Sequence, residues 1–209
     1  MDIKKYKNDG WGLSKKCFLD IENILNKFDN PNIVEFGSGM STKFLIDYLN
    51  ENNKDGKIIS FDDNEKFASK ENDDKLTLHI RKLVECNTHD FNQMFLNGSY
   101  SKDKFKIRTI PPHTRQENCF YDIEENDFDS NIDLMILDGS HGNGRSIGFL
   151  HMKKYITKGS YVVIDDFNHY DFVERFKMIF PNSKLYSEAD GGRINQWVTG
   201  GVYKIFEIL

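Results

Sequence analysis

The stretch of sequence that decides the fold reads Ile33-Val34-Glu35-Phe36-Gly37-Ser38-Gly39-Met40-Ser41-Thr42. A short apolar run ends at Phe36, and Gly37 and Gly39 separate it from a segment whose apolar residues have helical spacing. Glycine suits such a strand-to-helix turn because a Cβ would block the close approach of a ligand to the backbone. The first turn of the helix also offers free N–H groups. We therefore expect a ligand site at this turn.

Around this turn, short apolar runs alternate with amphipathic segments, a pattern typical of βαβ units and a mostly parallel sheet. The predicted strands are 32–36, 57–61, 77–84, 132–137 and 160–164. The predicted helices are 14–27, 40–50, 145–155 and 170–179, and the apolar run 202–208 is predicted to close an antiparallel hairpin. We expect a Rossmann-like, doubly wound α/β fold with a mostly parallel seven-stranded sheet and a C-terminal antiparallel hairpin.

The length of 209 residues suits one domain with a full hydrophobic core. We expect a single domain over 1–209, with a helical lead-in over 1–30. The stretch 97–128 contains Pro111, Pro112 and mixed charges without a clear period, which indicates an irregular insert or lid. A plain surface loop is an equally good interpretation of this insert.

The composition excludes several classes of function. A formal net charge of −5 argues against a nucleic-acid partner, because phosphate binding normally requires an excess of Lys and Arg. The three cysteines lack C-x-x-C spacing, which indicates neither a disulfide framework nor a zinc site. No stretch reaches the roughly 18 apolar residues of a membrane span. We expect a cytoplasmic protein without a membrane partner; a homo-oligomer is compatible with the sequence, which does not specify it.

A second acidic position follows the second predicted strand. Asp62 lies about 25 residues past Gly37, where a carboxylate can accept hydrogen bonds from ribose hydroxyls. A dinucleotide-binding fingerprint would have a third glycine at the position of Thr42, which weakens a pyrophosphate interpretation. Glu35, two residues before the first glycine, suits a cationic ligand better than a phosphate.

Together these residues resemble class I S-adenosylmethionine-dependent methyltransferases, whose first motif is an acidic residue followed by G-x-G and whose second is an acid at the end of strand two. The resemblance extends over most of 32–166. It implies that the first motif lines the methionine end of S-adenosylmethionine and that the second acid binds its ribose. The cofactor-binding residues are then Glu35, Gly37, Ser38, Gly39, Ser41 and Asp62. The alternative is that the glycines form only a tight turn and Asp62 caps a helix.

Three further aspartates follow two later strands. Asp138 comes at the end of predicted strand four, and Asp165 and Asp166 come at the end of strand five. Because the carboxyl ends of parallel strands share one edge of a sheet, we expect these carboxylates to converge near the cofactor. Such a cluster is costly unless a cation or protons neutralise it, and hard oxygen ligands suit Mg²⁺ or a similar divalent cation.

This arrangement resembles metal-dependent O-methyltransferases of the catechol type and of the type that acts on sugar-containing natural products. The resemblance implies that Asp138, Asp165 and Asp166 hold the metal. In the catechol type a lysine three residues after the first ligand is the general base, and His141 occupies that position here. Histidine suits proton removal near neutral pH. The alternative is that Asp138 and Asp165 cap the loops that follow, that Asp166 is a solvated neighbour and that His141 only binds backbone.

The sequence thus predicts an S-adenosylmethionine-dependent, divalent-metal-dependent O-methyltransferase that acts on a small hydroxylated acceptor, such as a sugar or a secondary metabolite. Two alternatives stay open. One is a metal-dependent hydrolase or hydroxylase on the same scaffold, and the other is a catalytically silent binding module, because fold does not dictate function.

Overall fold

The computed structural model describes residues 2–6, 12–109, 118–140, 142–190 and 201–209. None of the helices in these ranges combines the length and the apolar character that crossing a bilayer requires.

Seven strands of the described residues form one sheet, which confirms the predicted fold class. Its strands are β1 (Asn32–Phe36), β2 (Lys57–Asp62), β3 (Leu76–Ile80), β7 (Ile132–Leu137), β8 (Ile156–Asp165), β9 (Ser183–Asp190) and β10 (Val202–Ile208). The order across the sheet is β3-β2-β1-β7-β8-β10-β9. All neighbours are parallel except β10, which runs antiparallel to both β8 and β9.

Five α-helices within the described ranges flank the sheet. They are α1 (Lys15–Leu25), α2 (Met40–Glu51), α3 (Thr88–Asn97), α4 (Ile147–Met152) and α5 (Phe172–Ile179). The residues that the spacing of α1 and α2 predicts to face the core are all buried; they are Phe18, Ile21, Ile24, Leu25, Phe44, Leu45, Tyr48 and Leu49. The Ser14 side chain caps α1 by accepting a hydrogen bond from Cys17 N at 3.2 Å.

Strand β1 lies in the interior of the sheet, between β2 and β7, and separates two hydrophobic layers. Ile33 packs on the side of α1 and α2, whereas Val34 and Phe36 pack on the side of α3, α4 and α5. Burial on both faces explains why the strand is apolar apart from Asn32 and Glu35. Because β1 pairs in parallel with β2 and β7, the carboxyl ends of the three strands lie side by side.

The predicted third strand, 77–84, is wrong as a single strand. Arg81 N donates to Asp62 O at 2.8 Å, which is the last backbone bond between this segment and β2. The chain then leaves the large sheet, and β4 (Leu83–Glu85) joins a second, antiparallel sheet. The apolar residues continue on both sides of Arg81, so the sequence does not reveal the change of partner.

The predicted insert 97–128 contains more regular structure than the sequence indicates. Strands β5 (Lys106–Ile107) and β6 (Cys119–Tyr121) pair with β4 on either side. Phe120 and Tyr121 are buried in the large core, so β6 is part of the domain interior. A role of the insert as a lid stays a prediction, because 110–117 lies outside the described residues.

The later elements agree with the sequence apart from their ends. The predicted helix 145–155 is shorter and begins with a 3-10 turn at Asn143–Ser146, which leads into α4. The C-terminal hairpin is confirmed by the antiparallel pairing of β9 with β10. The turn glycines predicted for that hairpin, Gly191, Gly192 and Gly200, lie outside the described residues.

Candidate functional site

The turn after β1 lies against the turn after β7. Gly37 has a φ of +95°, a conformation that favours glycine, and its N donates to Phe61 O at 2.9 Å. A Cβ on Gly37 would lie 2.7 Å from Gly139 N, and a Cβ on Gly139 would lie 2.7 Å from Gly37 Cα. The glycine at 37 is therefore required by contact with another backbone, whereas the sequence suggests contact with a ligand. Gly39 differs, since no described atom lies within 4 Å of its Cβ position.

Asp62 holds the glycine turn in place. Its Oδ2 accepts hydrogen bonds from Ser38 N at 3.2 Å and from Ser38 Oγ at 2.9 Å, and its Oδ1 accepts one from Asn64 N at 2.9 Å. Ser38 Oγ also accepts from Ser69 N at 3.0 Å. A carboxylate offers about four acceptor positions, so these three bonds leave Asp62 capacity for a ligand hydroxyl.

Glu35 lies beneath the turn and is fully buried. Its Oε2 accepts hydrogen bonds from Thr42 Oγ1 at 2.6 Å and from Ser60 Oγ at 2.8 Å. Thr42 Oγ1 in turn accepts from Gly39 N at 2.9 Å. Thr42, which the sequence argument treats only as a missing glycine, thus links α2 to the acidic residue of β1. Glu35 Oε1 has no hydrogen-bond partner among the described residues.

The protonation of Glu35 follows from its burial. Desolvation raises the pKa of Glu35 to about 7, although hydrogen bonds from Ser41, Thr42 and Ser60 favour the charged form. The charge of Asp138 raises this pKa further. Glu35 is therefore a carboxyl group that is partly protonated at neutral pH, and it supports the turn from below. Its predicted contact with the cofactor stays a prediction.

Asp138 and Asp165 come together at the carboxyl ends of β7 and β8. These strands are neighbours in register, with Leu137 opposite Ile164, so the residues that follow lie side by side. Asp165 is buried, and burial raises its pKa well above its usual range; the neighbouring charges of Asp138 and Asp166 and a hydrogen bond with Asp138 act in the same direction. The two carboxyl groups form the aspartate pair of this site.

Asp166, the third predicted ligand, has contacts of its own beside the aspartate pair. It has a φ of +51°, and its N donates to Val202 O at 2.6 Å. Its Oδ2 lies 3.6 Å from Nδ1 of His169. Across the part of the chain that the structure describes, no group of three or more His, Cys, Asp or Glu residues is arranged to hold a metal ion. The structure therefore brings together two of the three predicted ligands.

The remaining predicted residues divide into described and undescribed positions. Ser41, at the start of α2, is buried, and Gly39 precedes it as the N-cap residue. His141, the predicted base, lies outside the described residues, between Ser140 and Gly142. One contributor was not identified from the sequence. Arg145 is buried and binds the backbone at the ends of both β7 and β8, contacts that no sequence motif reports.

Two grooves among the described residues are lined by residues outside the glycine turn. One groove, of about 310 Å³, lies between the chain segment 128–131 and Lys154 with Tyr155. Another, of about 370 Å³, lies beside 167–171 and the start of α5, close to Asp166. We base the site on the converging strand ends, because the hydrogen bonds and the buried acids are found there.

Comparison with known families gives one match that covers most of the domain. The family model described as Methyltransferase domain matches residues 34–167, which include the glycine turn and the aspartates. Comparison with curated proteins finds no match.

Solved structures with the same fold include three methyltransferases. An O-methyltransferase from Bacillus cereus in complex with SAH is 13% identical, with a TM-score of 0.53 and coverage of 99% of this chain and 86% of that one. A precorrin-6y C5,15-methyltransferase from Geobacter metallireducens is 12% identical, with a TM-score of 0.53 and coverage of 99% and 95%. A Klebsiella pneumoniae protein provisionally assigned as an O-methyltransferase is 11% identical, with a TM-score of 0.55 and coverage of 99% and 86%. At these identities, the similarity establishes the fold.

The substitution Gly37→Ala should destabilise the protein by about 2–5 kcal/mol, because backbone strain at positive φ adds to overpacking against Gly139. Urea unfolding measures the effect. Gly12→Ala is the control, since a Cβ at Gly12 meets no described atom within 4 Å and Gly12 is not among the glycines of positive φ. Equal stability of the two variants would show that the Gly37–Gly139 contact does not constrain the turn.

The substitution Glu35→Gln should change how stability depends on pH. The folded state keeps the Glu35 proton up to about pH 7, whereas the unfolded chain releases it near the ordinary value of 4.5. The wild type therefore loses stability from this group as pH rises from about 4.5 to about 7, and glutamine does not. The free energy of unfolding of the variant relative to the wild type should rise over this window by up to about 3 kcal/mol.

Urea unfolding of the Glu35→Gln variant at a series of pH values tests this prediction. Glu65→Gln, a substitution of an exposed glutamate, is the control and should leave the pH dependence unchanged. Parallel stability curves for Glu35→Gln and the wild type would mean that Glu35 ionises normally in the folded protein.

Proposed function

This chain belongs to the methyltransferase-domain family, and from that premise we propose that it methylates a hydroxyl group of a small acceptor, with S-adenosylmethionine as donor and a divalent cation at the aspartate pair. The observation that carries the proposal is the contact between the turns that hold Gly37 and Gly139. The turn with Gly37 carries the proposed donor side of the site, next to Asp62, and the turn with Gly139 carries the proposed acceptor side, next to Asp138. Contact between the two turns therefore brings the two sides together. A methyl transfer needs the two substrates within contact distance, so such adjacency favours it.

On the donor side, Asp62 and Gly39 have separate tasks. When bound, S-adenosylmethionine supplies an electrophilic methyl group on a sulfonium. Asp62 is fixed by Ser38 and Asn64, and its remaining acceptor position suits a ribose hydroxyl. The open space over Gly39 suits close approach of the methionine portion to the backbone. Glu35 contributes from beneath by holding Thr42, which binds Gly39 N.

On the acceptor side, the chemistry of Asp138 and Asp165 fits a divalent cation. Two carboxyl groups forced together, one of them buried, repel each other when both are charged, and a cation removes that repulsion. Mg²⁺ is commonly held by one or two carboxylates, with water and substrate completing its shell. When bound, it would supply Lewis-acid chemistry that lowers the pKa of a substrate hydroxyl. Asp166 stays a predicted third ligand, and its carboxylate would have to leave His169.

We assign removal of the hydroxyl proton to His141, which follows the aspartate strand end by three residues in the chain. The acceptor is proposed as a sugar or secondary metabolite on the resemblance to metal-dependent O-methyltransferases. The structural neighbours include both an O-methyltransferase and a precorrin methylase, so the choice of oxygen as acceptor atom rests on the aspartate pair.

The substitution Asp62→Asn should weaken binding of S-adenosylhomocysteine about tenfold or more, because a hydrogen bond to a charged acceptor contributes about 1.5–3 kcal/mol. Isothermal titration calorimetry measures the affinity. Asp63→Asn, a change at an exposed neighbour, is the matched control and should bind as the wild type does. Absence of binding heat for the wild type would contradict the proposed donor.

Methyl transfer from labelled S-adenosylmethionine to a panel of catechols and sugars should require a divalent cation and should be lost in excess EDTA. Restoring Mg²⁺ should restore the wild type but not Asp138→Asn, whose amide lacks the charge that the cation needs. Activity that is unchanged in EDTA would remove the cation from the proposal and leave methyl transfer in place.

A further inference from the structure

Arg145 connects the two strand ends that carry the aspartate pair. It lies in the 3-10 turn Asn143–Ser146, and only 4% of its surface is exposed. Its Nε donates to Ser140 O at 2.9 Å, two residues after Asp138. One of its terminal nitrogens donates to the backbone oxygen of Asp165 at 3.0 Å. A single buried guanidinium therefore spans from the turn after β7 to the last residue of β8.

We propose that Arg145 is a positioning residue, which sets the separation of the Asp138 and Asp165 carboxylates so that one divalent cation can contact both. This inference rests on the proposed function and adds a determinant of cation affinity that touches neither cation nor substrate. Arg145 acts through the backbone of the two strand ends.

The chemistry of arginine suits this task. A guanidinium is planar and presents its N–H donors in a fixed fork, so two acceptors bound to it are held at a set distance. The ring of Phe172 lies 5.4 Å from the guanidinium carbon and limits its movement. A lysine retains the charge but has one flexible ammonium, which cannot fix two backbone oxygens in the same way.

The segment that carries Arg145 is anchored independently. Ser140 Oγ donates to Cys119 O at 2.9 Å, which ties the turn after β7 to β6. A Cβ at Gly144 would collide with the backbone of Cys119, so the 3-10 turn packs directly on the same strand. Because the base of the turn is fixed, the position of the Arg145 side chain determines the positions of the two strand ends that it binds.

Charge and geometry act in opposite directions at this position. The positive charge of Arg145 acts on Asp165 and reduces the repulsion within the aspartate pair. The same charge also repels a bound cation. An uncharged substitution would therefore change the electrostatic effect and the geometry of the strand ends at once. Arg145→Lys keeps the positive charge but removes the fork that binds two backbone oxygens. This variant therefore tests the geometric effect alone.

The test is a titration with Mn²⁺ alone, followed by the loss of the electron paramagnetic resonance signal of the free ion. Arg145→Lys should raise the Kd for Mn²⁺ about tenfold, while its affinity for S-adenosylhomocysteine, measured by calorimetry, stays at the wild-type value. A purely structural role would change both affinities or neither. Arg175→Lys is the matched control, because Arg175 is half-buried and, among the described residues, its polar partners are Asn143 of the same turn and Asp171, not the strand ends.

The outcomes separate this inference from the proposed function. If Asp138→Asn abolishes Mn²⁺ binding and Arg145→Lys binds as the wild type does, the positioning role is wrong and the cation site stands. If the wild type binds no Mn²⁺, the cation site and the positioning role are both wrong.

A measurement on the wild type covers the case in which Arg145→Lys does not fold. The Nε–H resonance of Arg145, in a ¹⁵N spectrum, should exchange slowly with solvent and should shift on addition of Mg²⁺, while that of Arg175 does not shift. An Arg145 resonance that exchanges fast or ignores Mg²⁺ overturns the proposal.

Discussion

The backbones of Gly37 and Gly139 pack against each other at the carboxyl edge of the sheet, where neither residue has room for a Cβ. Strands β1 and β7 are neighbours, so the turns that leave them compete for the same space. A side chain at either position would separate the turns and move Asp62 away from Asp138. Because neither glycine has a side chain, the two strand ends can lie in contact. The relative positions of the acids around them depend on that packing.

Three buried acids near this contact are stabilised in three different ways. Glu35 receives hydroxyl hydrogen bonds and has a raised pKa, which reduces its charge. Asp62 is bound by two backbone N–H groups and by the Ser38 hydroxyl. Asp165 faces Asp138, and the positive charge of Arg145 reduces the repulsion between the two carboxyl groups. Since an unneutralised pair of carboxylates is costly, the position where a cation lowers the energy most is the aspartate pair.

Much of the fold could be predicted because the signals are local. Strand β1 was predicted at its observed bounds, since a strand buried on both faces is mostly apolar, with Glu35 as the exception here, and this one ends at glycine. The division of 77–84 into β3 and β4 could not be predicted, because it depends on which strand pairs with Leu83.

Side-chain roles in the site were harder to predict than its location. Asp62, Asp138 and Asp165 could be assigned to the carboxyl edge of the sheet because each lies at or directly after the end of a strand. Arg145 could not be found in this way, because its partners are backbone oxygens, which every residue carries. The sequence also does not reveal why position 37 requires glycine, since the residue that it packs against, Gly139, is more than a hundred positions away in the chain.

The hydrogen bonds of the glycine turn also bear on the kind of ligand it can hold. Three consecutive backbone N–H groups are engaged within the protein: Gly37 binds Phe61 O, Ser38 binds Asp62, and Gly39 binds Thr42. A pyrophosphate is normally cradled by free N–H groups at such a turn, and none of these three is free. The turn instead presents the remaining carboxylate acceptor of Asp62, which suits a hydroxyl. That polarity suits a nucleoside without phosphates, and Thr42, in the place of a third glycine, contributes to it by accepting the hydrogen bond from Gly39 N.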